Sequence, residues 1–324
     1  TMVAYTYELS EGCDWIHITD GEPITPGVVN DSELKLKIDP YKDVEDGRTA
    51  YLYLKGSNGV TDMLTITQDK KPLEDIDYLR MFYEGANGDN WVKKWNFDAP
   101  LETNATHWPG VTVTNGRVTG ILFSADNNIE GDMTPLCYLS ELKTLKLTRQ
   151  KISFIPEEIG LLTNLTALWV RESALSGKIP ESISNCKLLT EVNFSNTPDK
   201  TPDEYKNNLT GGIGMLIDIP GLVTIKLYCN QLEGSLPVIP LDNNNNPTTW
   251  KNLKEFMVYS NGFSGSIPYG YGVSIANNGS AGLFWVNDNQ LTGKIPADIM
   301  TIPRYQTVAN EKQIRLLKGN NLTE

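Results

Sequence analysis

The chain holds 324 residues, 40% hydrophobic and 21% charged, with a formal net charge of −12. It is apolar enough to bury a substantial core, and its charge excess is too small for a wholly disordered chain. The acidic balance excludes nucleic acid as a partner, because phosphate binding needs a clustered basic surface.

No run of about 18 apolar residues is present, so no transmembrane segment is predicted. The mean hydropathy of −0.31 fits a soluble protein. Cys13, Cys137, Cys186 and Cys229 are far apart and show no CxxC spacing, so neither a zinc site nor a disulfide framework is predicted. With only His17 and His107, little is left for a histidine-based triad. The start, Thr1-Met2-Val3, lacks the charged and apolar regions of a signal peptide. The chain therefore reads as a mature fragment or as a cytosolic protein trimmed at its start.

Residues 1–72 are rich in strand signals. Tyr5-Thr-Tyr7-Glu-Leu9 and Leu34-Lys-Leu36-Lys-Ile38 alternate, and Trp15-Ile-His-Ile18 lies between them. Ala50–Leu54 and Met63–Gln68 flank a turn at Gly56-Ser-Asn-Gly59. Period-two strands bounded by frequent turn signals predict a small β-sandwich. Cys13-Asp14-Trp15-Ile16, Asp46-Gly-Arg48-Thr-Ala50 and Ile66-Thr-Gln68 give the segment a pattern that resembles the BACON domain. That resemblance implies an immunoglobulin-like module of gut-bacterial surface proteins. Lys70-Lys-Pro72 is the predicted linker.

Residues 73–116 begin with Ile76, Leu79, Phe82 and Tyr83 at helical spacing, ended by Gly85-Ala-Asn-Gly88. Trp91, Trp95 and Trp108-Pro-Gly-Val111 follow and lead into Gly116-Arg117-Val118-Thr119. This resembles the N-terminal cap of plant-type repeat proteins, without the paired cysteines of the secreted plant forms.

From residue 117 one phrase recurs: Leu175-Ser-Gly-Lys-Ile-Pro180, Leu232-Glu-Gly-Ser-Leu-Pro237, Phe263-Ser-Gly-Ser-Ile-Pro268 and Leu291-Thr-Gly-Lys-Ile-Pro296. Apolar triplets precede these phrases, starting at 142, 165, 189, 222, 253 and 281, and Asn230, Asn261 and Asn289 follow three of them. The spacing widens after 189, which predicts insertions. A first repeat at Val118, Ile121, Phe123, Asn127 and Ile129 and a last at Ile314, Leu316, Asn320 and Leu322 fit with one extra residue. The pattern LxxLxLxxNxLxGxIP resembles the leucine-rich-repeat family in its plant-receptor subclass. One repeat cannot bury its own apolar face, so neighbours stack into a solenoid with a parallel sheet on its concave side.

The resulting fold class is multidomain. An N-terminal all-β immunoglobulin-like sandwich (1–72) is followed by a linker and helical N-terminal cap (73–116). A curved leucine-rich-repeat solenoid of about eight repeats (117–324) completes it.

No GxSxG, HExxH or P-loop occurs, so no catalytic residue, metal ligand or cofactor is predicted. The Asp242–Asn246 run reads as a polar insertion loop rather than a calcium site. Side chains alternate along a strand, so the residue between the last two apolar positions of each triplet faces outward. These residues are Leu122, Lys146, Trp169, Asn193, Lys226, Met257 and Trp285. The residues just after the triplets are Ser124, Thr148, Arg171, Ser195, Tyr228, Tyr259 and Asn287. The candidate ligand-binding set is Lys146, Trp169, Arg171, Lys226, Tyr228, Met257, Tyr259 and Trp285. Its aromatics are expected to supply affinity and its cations charge. Residues 198–207 should emerge at the edge of this face, and Trp250 should pack back on the solenoid.

The domain pairing resembles exported, lipid-anchored surface proteins, with the anchor outside the given chain. It implies non-catalytic recognition of an extracellular protein or glycan. A spacer or adhesin stalk without one defined ligand is the alternative. A glycan-active enzyme is a third reading, for which no acid pair is placed.

Overall fold

A computed structural model of the chain describes residues 5–11, 13, 15–18, 28, 29, 36–38, 47–56, 59–68, 73–124, 126–276, 282–308 and 310–323. The chain divides into two compact units, Thr1–Glu74 and Asp75–Glu324.

In the first unit, strands β1 (Tyr5–Leu9), β2 (Ile16–Ile18), β3 (Val28–Val29), β4 (Leu36–Ile38), β5 (Arg48–Gly56) and β6 (Thr61–Gln68) form two antiparallel sheets. One has the order β3-β1-β5-β6, and the other pairs β2 with β4. Residues of both sheets meet in one small core: Trp15 and Ile16 from one side, Ala50, Leu52 and Ile66 from the other. Alternation decides which residues are inside. Ala50 and Leu52 are fully buried while Tyr51 and Tyr53, on the opposite face of β5, are exposed. Arg48 lies over the Trp15 ring at 4.2 Å. The predicted linker Lys70–Pro72, and Leu34, Asp14 and Asp46 of the predicted pattern, lie outside the described residues.

The second unit begins with helix α1 (Asp75–Gly85), whose Leu79 and Phe82 are fully buried. Asp75 ties it to the first repeat: its carboxylate accepts from Arg117 Nε and Nη2 and from the Val118 amide at 2.6 Å. Trp91, Trp95 and Trp108 pack with Phe82, Phe97 and Phe123, mostly edge to face. Each indole N–H reaches a backbone carbonyl, of Ala86, Pro109 and Pro100 respectively.

The repeats then lay down strands alternately in a long sheet and on the side facing away from it. In chain order these are β7 (Val111–Thr114), β8 (Arg117–Phe123), β9 (Glu130–Gly131), β10 (Thr144–Thr148), β11 (Lys151–Ile152) and β12 (Ala167–Arg171). They continue with β13 (Ser176–Lys178), β14 (Glu191–Asn193), β15 (Asn208–Gly211), β16 (Thr224–Lys226) and β17 (Gln231–Ser235). The last are β18 (Glu255–Met257), β19 (Gly262–Gly265), β20 (Leu283–Trp285), β21 (Gln290–Lys294) and β22 (Asn321–Thr323). The even strands β8 to β20 form a parallel sheet closed at one end by the antiparallel β7. The odd strands from β13 onward, with β22, form a second parallel sheet, and β9 pairs with β11. This is a leucine-rich-repeat solenoid. The triplet residues from Leu142 to Val286 are buried to within 1%, apart from Ala281, which lies outside the described residues.

The repeat asparagines bond the backbone groups that no sheet satisfies. Asn261 Nδ2 donates to Leu227 O and Val258 O, and its Oδ1 accepts from Leu232 N. Asn230, Asn289 and Asn320 repeat the scheme. In the shorter repeats Gln150 and Ser173 stand in this place. The residue before each is left-handed: Arg149, Glu172, Cys229, Ser260 and Asp288 have φ between 50° and 60°, and Gly319 has φ 68°.

One expectation is corrected, and one repeat departs from the regular spacing. The eighth repeat does not form a strand of the long sheet. Residues Gln313–Leu317 wind into a π-helical turn that buries Leu316 and leaves Ile314 45% exposed. The Arg315 carbonyl accepts from the amides of Val286 and Asn287, so the turn closes this end of the long sheet. The repeat starting at 189 keeps its asparagine, but the insertion displaces it to Asn207. There Nδ2 donates to Val170 O and Phe194 O, and Oδ1 accepts from Ser173 N and Leu175 N.

Candidate functional site

The outward row of the long sheet is in the predicted register. Leu122, Lys146, Trp169, Asn193, Lys226, Met257 and Trp285 are successive cross-strand partners. Beside them, Tyr228 and Tyr259 stack with ring centroids 4.6 Å apart and planes 7° apart. Tyr259 meets Trp285 at 6.1 Å in a tilted contact. Three aromatic rings from consecutive repeats therefore form one array. Burial, with Tyr228 adding to it, pushes the Tyr259 hydroxyl well above its ordinary pKa.

Three predicted contributions change in the structure. Met257 is 7% exposed, because the larger Lys226 and Trp285 flank it at strand spacing. It belongs to the floor of the face rather than to its surface. Trp285 is not an open platform: the Arg315 guanidinium covers its ring at 3.8 Å, and its Nε1 donates to Glu311.

The cations are also not free charges. Lys146 reaches Glu191 at 3.4 Å and lies 3.6 Å over the Trp169 ring. Lys226 pairs with Glu255 at 2.7 Å, and Arg171 bonds both Glu172 and Thr197. The face is close to neutral, and a ligand would gain little from net charge. Glu191 and Glu255 stand two residues before Asn193 and Met257, on the same side of the strand. That two-residue alternation, extended one step upstream, is the signal that identifies them. On the same face, Trp169 Nε1, Arg171 Nε, Asn287 Oδ1 and Arg315 Nε are buried without a hydrogen-bond partner.

Glu172 anchors the edge of this face. Its side chain is 2% exposed and accepts from Arg149 Nε at 2.9 Å, from Arg171, and from the Thr197 hydroxyl at the start of the insertion. Burial pushes the Glu172 carboxyl up, but the hydrogen bonds from Thr197, Arg149 and Arg171 outweigh it and hold the group below its ordinary value. A carboxylate depressed in the folded state stabilises fully above its unfolded pKa of about 4.3. That contribution is lost as pH falls through the folded value. The urea midpoint of the repeat unit is therefore expected to drop on acidification through this range, and Glu172→Gln should weaken that dependence. An unchanged acid limb in the variant would refute the assignment.

The insertion leaves the sheet edge as expected and carries a short 3-10 turn at Asp203–Tyr205. Trp250 packs back fully buried. Asn193, inside a glycosylation-type sequon, is 5% exposed, and its Oδ1 accepts from the Ser195 amide and hydroxyl. The Asp242 loop closes on itself, its Oδ1 accepting from the amides of Asn244 and Asn246. Among the described residues no group of three His, Cys, Asp or Glu could hold a metal ion, and no helix is long and apolar enough to cross a membrane. All four cysteines are free thiols. Burial pushes Cys186 up to about 11, far from a reactive thiolate.

No family model matches the sequence. Among curated proteins, Receptor-like protein 41 of Arabidopsis thaliana is 26% identical over 216 residues, covering 64% of this chain and 22% of that protein. Receptor-like protein 39 of the same plant is 26% identical over 151 residues, 46% of this chain and 15% of its own length. The chain thus spans about a fifth or less of these relatives. Among solved structures, the plant peptide hormone receptor RGFR1 in complex with RGF2 overlays with a TM-score of 0.43 at 25% identity, covering 61% of this chain and 28% of that one.

Proposed function

We propose that the chain is a non-catalytic, extracellular recognition protein whose long sheet grips a protein or peptide partner. The observation that carries this reading is the stacked pair of Tyr228 and Tyr259, backed on the next repeat by Trp285 beneath Arg315. Rigid aromatics gain contact area at small entropic cost, and such residues dominate interface energies. The near-neutral face favours a partner read by shape and hydrogen bonding over one steered by charge. The sequence matches to receptor-like proteins support the same role.

In this reading residues 73–116 cap the first repeat. Residues 1–72 are a BACON-like immunoglobulin-type module that holds the solenoid away from a surface, to which the protein is lipid-anchored through a segment outside the given chain. A glycan ligand for the long sheet is the lesser form of the proposal.

The test is a screen of the full chain on extracellular-protein and glycan arrays, followed by the triple variant Tyr228→Ala, Tyr259→Ala, Trp285→Ala. Removing hot-spot aromatics costs about 2 kcal/mol or more each, so the expected result is a loss of at least a hundredfold in affinity. Retained binding by a folded variant discards this face. Silence on both arrays favours a spacer without one defined ligand.

A further inference from the structure

Away from the aromatic array lies a small polar cavity of about 250 Å³. It is walled by Asn87 and Asn90 of the segment before the repeats, by Asn128 and Glu130, by Arg149 and Lys151 of the next repeat, and by Tyr205 of the insertion. We propose that this cavity binds a carboxylate-bearing monosaccharide unit, either free or at the end of a glycan. The proposal does not depend on the reading of the long sheet.

Size comes first. At about 30 Å³ per water, the cavity holds the equivalent of about eight waters, enough for one pyranose ring and its substituents and too little for a folded partner. The walls are tied together before any ligand arrives. Asn90 Nδ2 donates to Asn87 Oδ1 at 2.6 Å, and Asn128 Nδ2 donates to Asn90 O. The Lys151 amide bonds Ile129 O, and the Tyr205 carbonyl accepts from Ala174 N. The insertion is pinned on both sides by Thr197 on Glu172 and by the buried Asn207. A preformed site loses little entropy on binding.

The lining chemistry then selects the class. Side-chain amides and a carboxylate such as Glu130 are complementary to vicinal hydroxyls, which both donate and accept. One phenol ring, Tyr205, offers an apolar plane to the C–H face of a sugar. Charge adds the acid group. In a chain of net charge −12, this cavity has two cations against one carboxylate. Arg149 is engaged by Glu172 through its Nε. Among the described residues Lys151 has no carboxylate at ion-pair distance, and its ammonium stands 6.0 Å from the centre of the Tyr205 ring. A lysine without a carboxylate partner, over a tyrosine ring and beside an amide cluster, fits a sugar carboxylate, with the guanidinium of Arg149 as a second donor.

Isothermal titration of the full chain with methyl β-D-glucuronide, against methyl β-D-glucoside, tests this. Free glucuronate is run in parallel to separate a chain-end unit from the free acid. Saturable binding of the glucuronide or of free glucuronate is expected, with the glucoside at least tenfold weaker. Lys151→Gln and Tyr205→Ala should each weaken it at least tenfold, whereas Tyr228→Ala with Tyr259→Ala should leave it unchanged. Lys151 is only half-buried and its backbone bonds do not involve the side chain, so its variant keeps the test sound if Tyr205→Ala disturbs the insertion. The proposal is overturned by absence of saturation in the millimolar range, by equal binding of the glucoside, or by binding that survives Lys151→Gln. Loss of binding in the Tyr228 and Tyr259 variant alone would move the sugar to the long sheet and would equally overturn it.

Discussion

Trp250→Ala is expected to lower the stability of the repeat unit by about 3–5 kcal/mol, the range for truncating a large buried aromatic. The indole is fully buried. It packs on Phe256 at 6.2 Å and Tyr271 at 6.1 Å, and its Nε1 donates to both Leu216 O and Ile219 O. Truncation therefore leaves a cavity and also strands the Ile219 carbonyl of the preceding repeat, since Leu216 O keeps the Ile219 amide. Urea denaturation followed by circular dichroism measures it without relying on tryptophan fluorescence. Trp250→Phe should recover part of the packing but not the hydrogen bonds, and so should fall between. A loss under 1 kcal/mol for the alanine variant would mean that the repeat collapses onto the vacancy.

Asn207→Ala is the second large effect, expected at about 3 kcal/mol or more. One 1%-exposed side chain satisfies four backbone groups in two successive turns of the solenoid: Val170 O, Phe194 O, Ser173 N and Leu175 N. Each polar group left buried and unpaired costs about 1–3 kcal/mol, and relaxation recovers only part of it. Because repeats contact only their neighbours, the loss should be local. Hydrogen exchange should accelerate from about residue 170 to 210 and little beyond. Asn244→Ala, in the exposed loop, should change stability by less than about 0.5 kcal/mol. Uniform acceleration along the whole unit would contradict the one-dimensional picture.

The parts of the molecule that were legible in the sequence are those governed by short-range periodicity. The leucine triplets and the outward row from Leu122 to Trp285 follow from a two-residue alternation, and one register slip would have reversed every one of them. The stacking of Tyr228 on Tyr259 follows directly from that row. Three things did not follow, each for a physical reason. Asn207 sits thirteen residues after Phe194 instead of three, because the insertion was placed between a strand and the residue that serves it. Gln150 and Ser173 do the same work with different side chains, since the requirement is for a donor and an acceptor rather than for asparagine. The last apolar pair, Ile314 and Leu316, is compatible with a strand or a helical turn, and a two-residue signal does not separate them. The electrostatics of the candidate site were legible only in part. Lys146, Arg171 and Lys226 were visible as cations, but their neutralisation depends on carboxylates contributed by neighbouring positions and strands.

The left-handed residue before each ladder position has an implication for how this scaffold can change. Arg149, Glu172, Cys229, Ser260 and Asp288 hold a backbone conformation that glycine, as at Gly319, adopts without strain. A side chain retained at such a point costs about 1 kcal/mol or more. Each sits on its own one-residue bend, so exchanging it disturbs neither the strand before it nor the ladder after it. Along this edge, chemistry and shape are inherited separately. Successive turns can acquire an arginine, a carboxylate or a thiol one at a time, and reversion to glycine would relieve the strain of the bend, except at Arg149 and Glu172, where the ion pair that joins two of these positions would be lost with it.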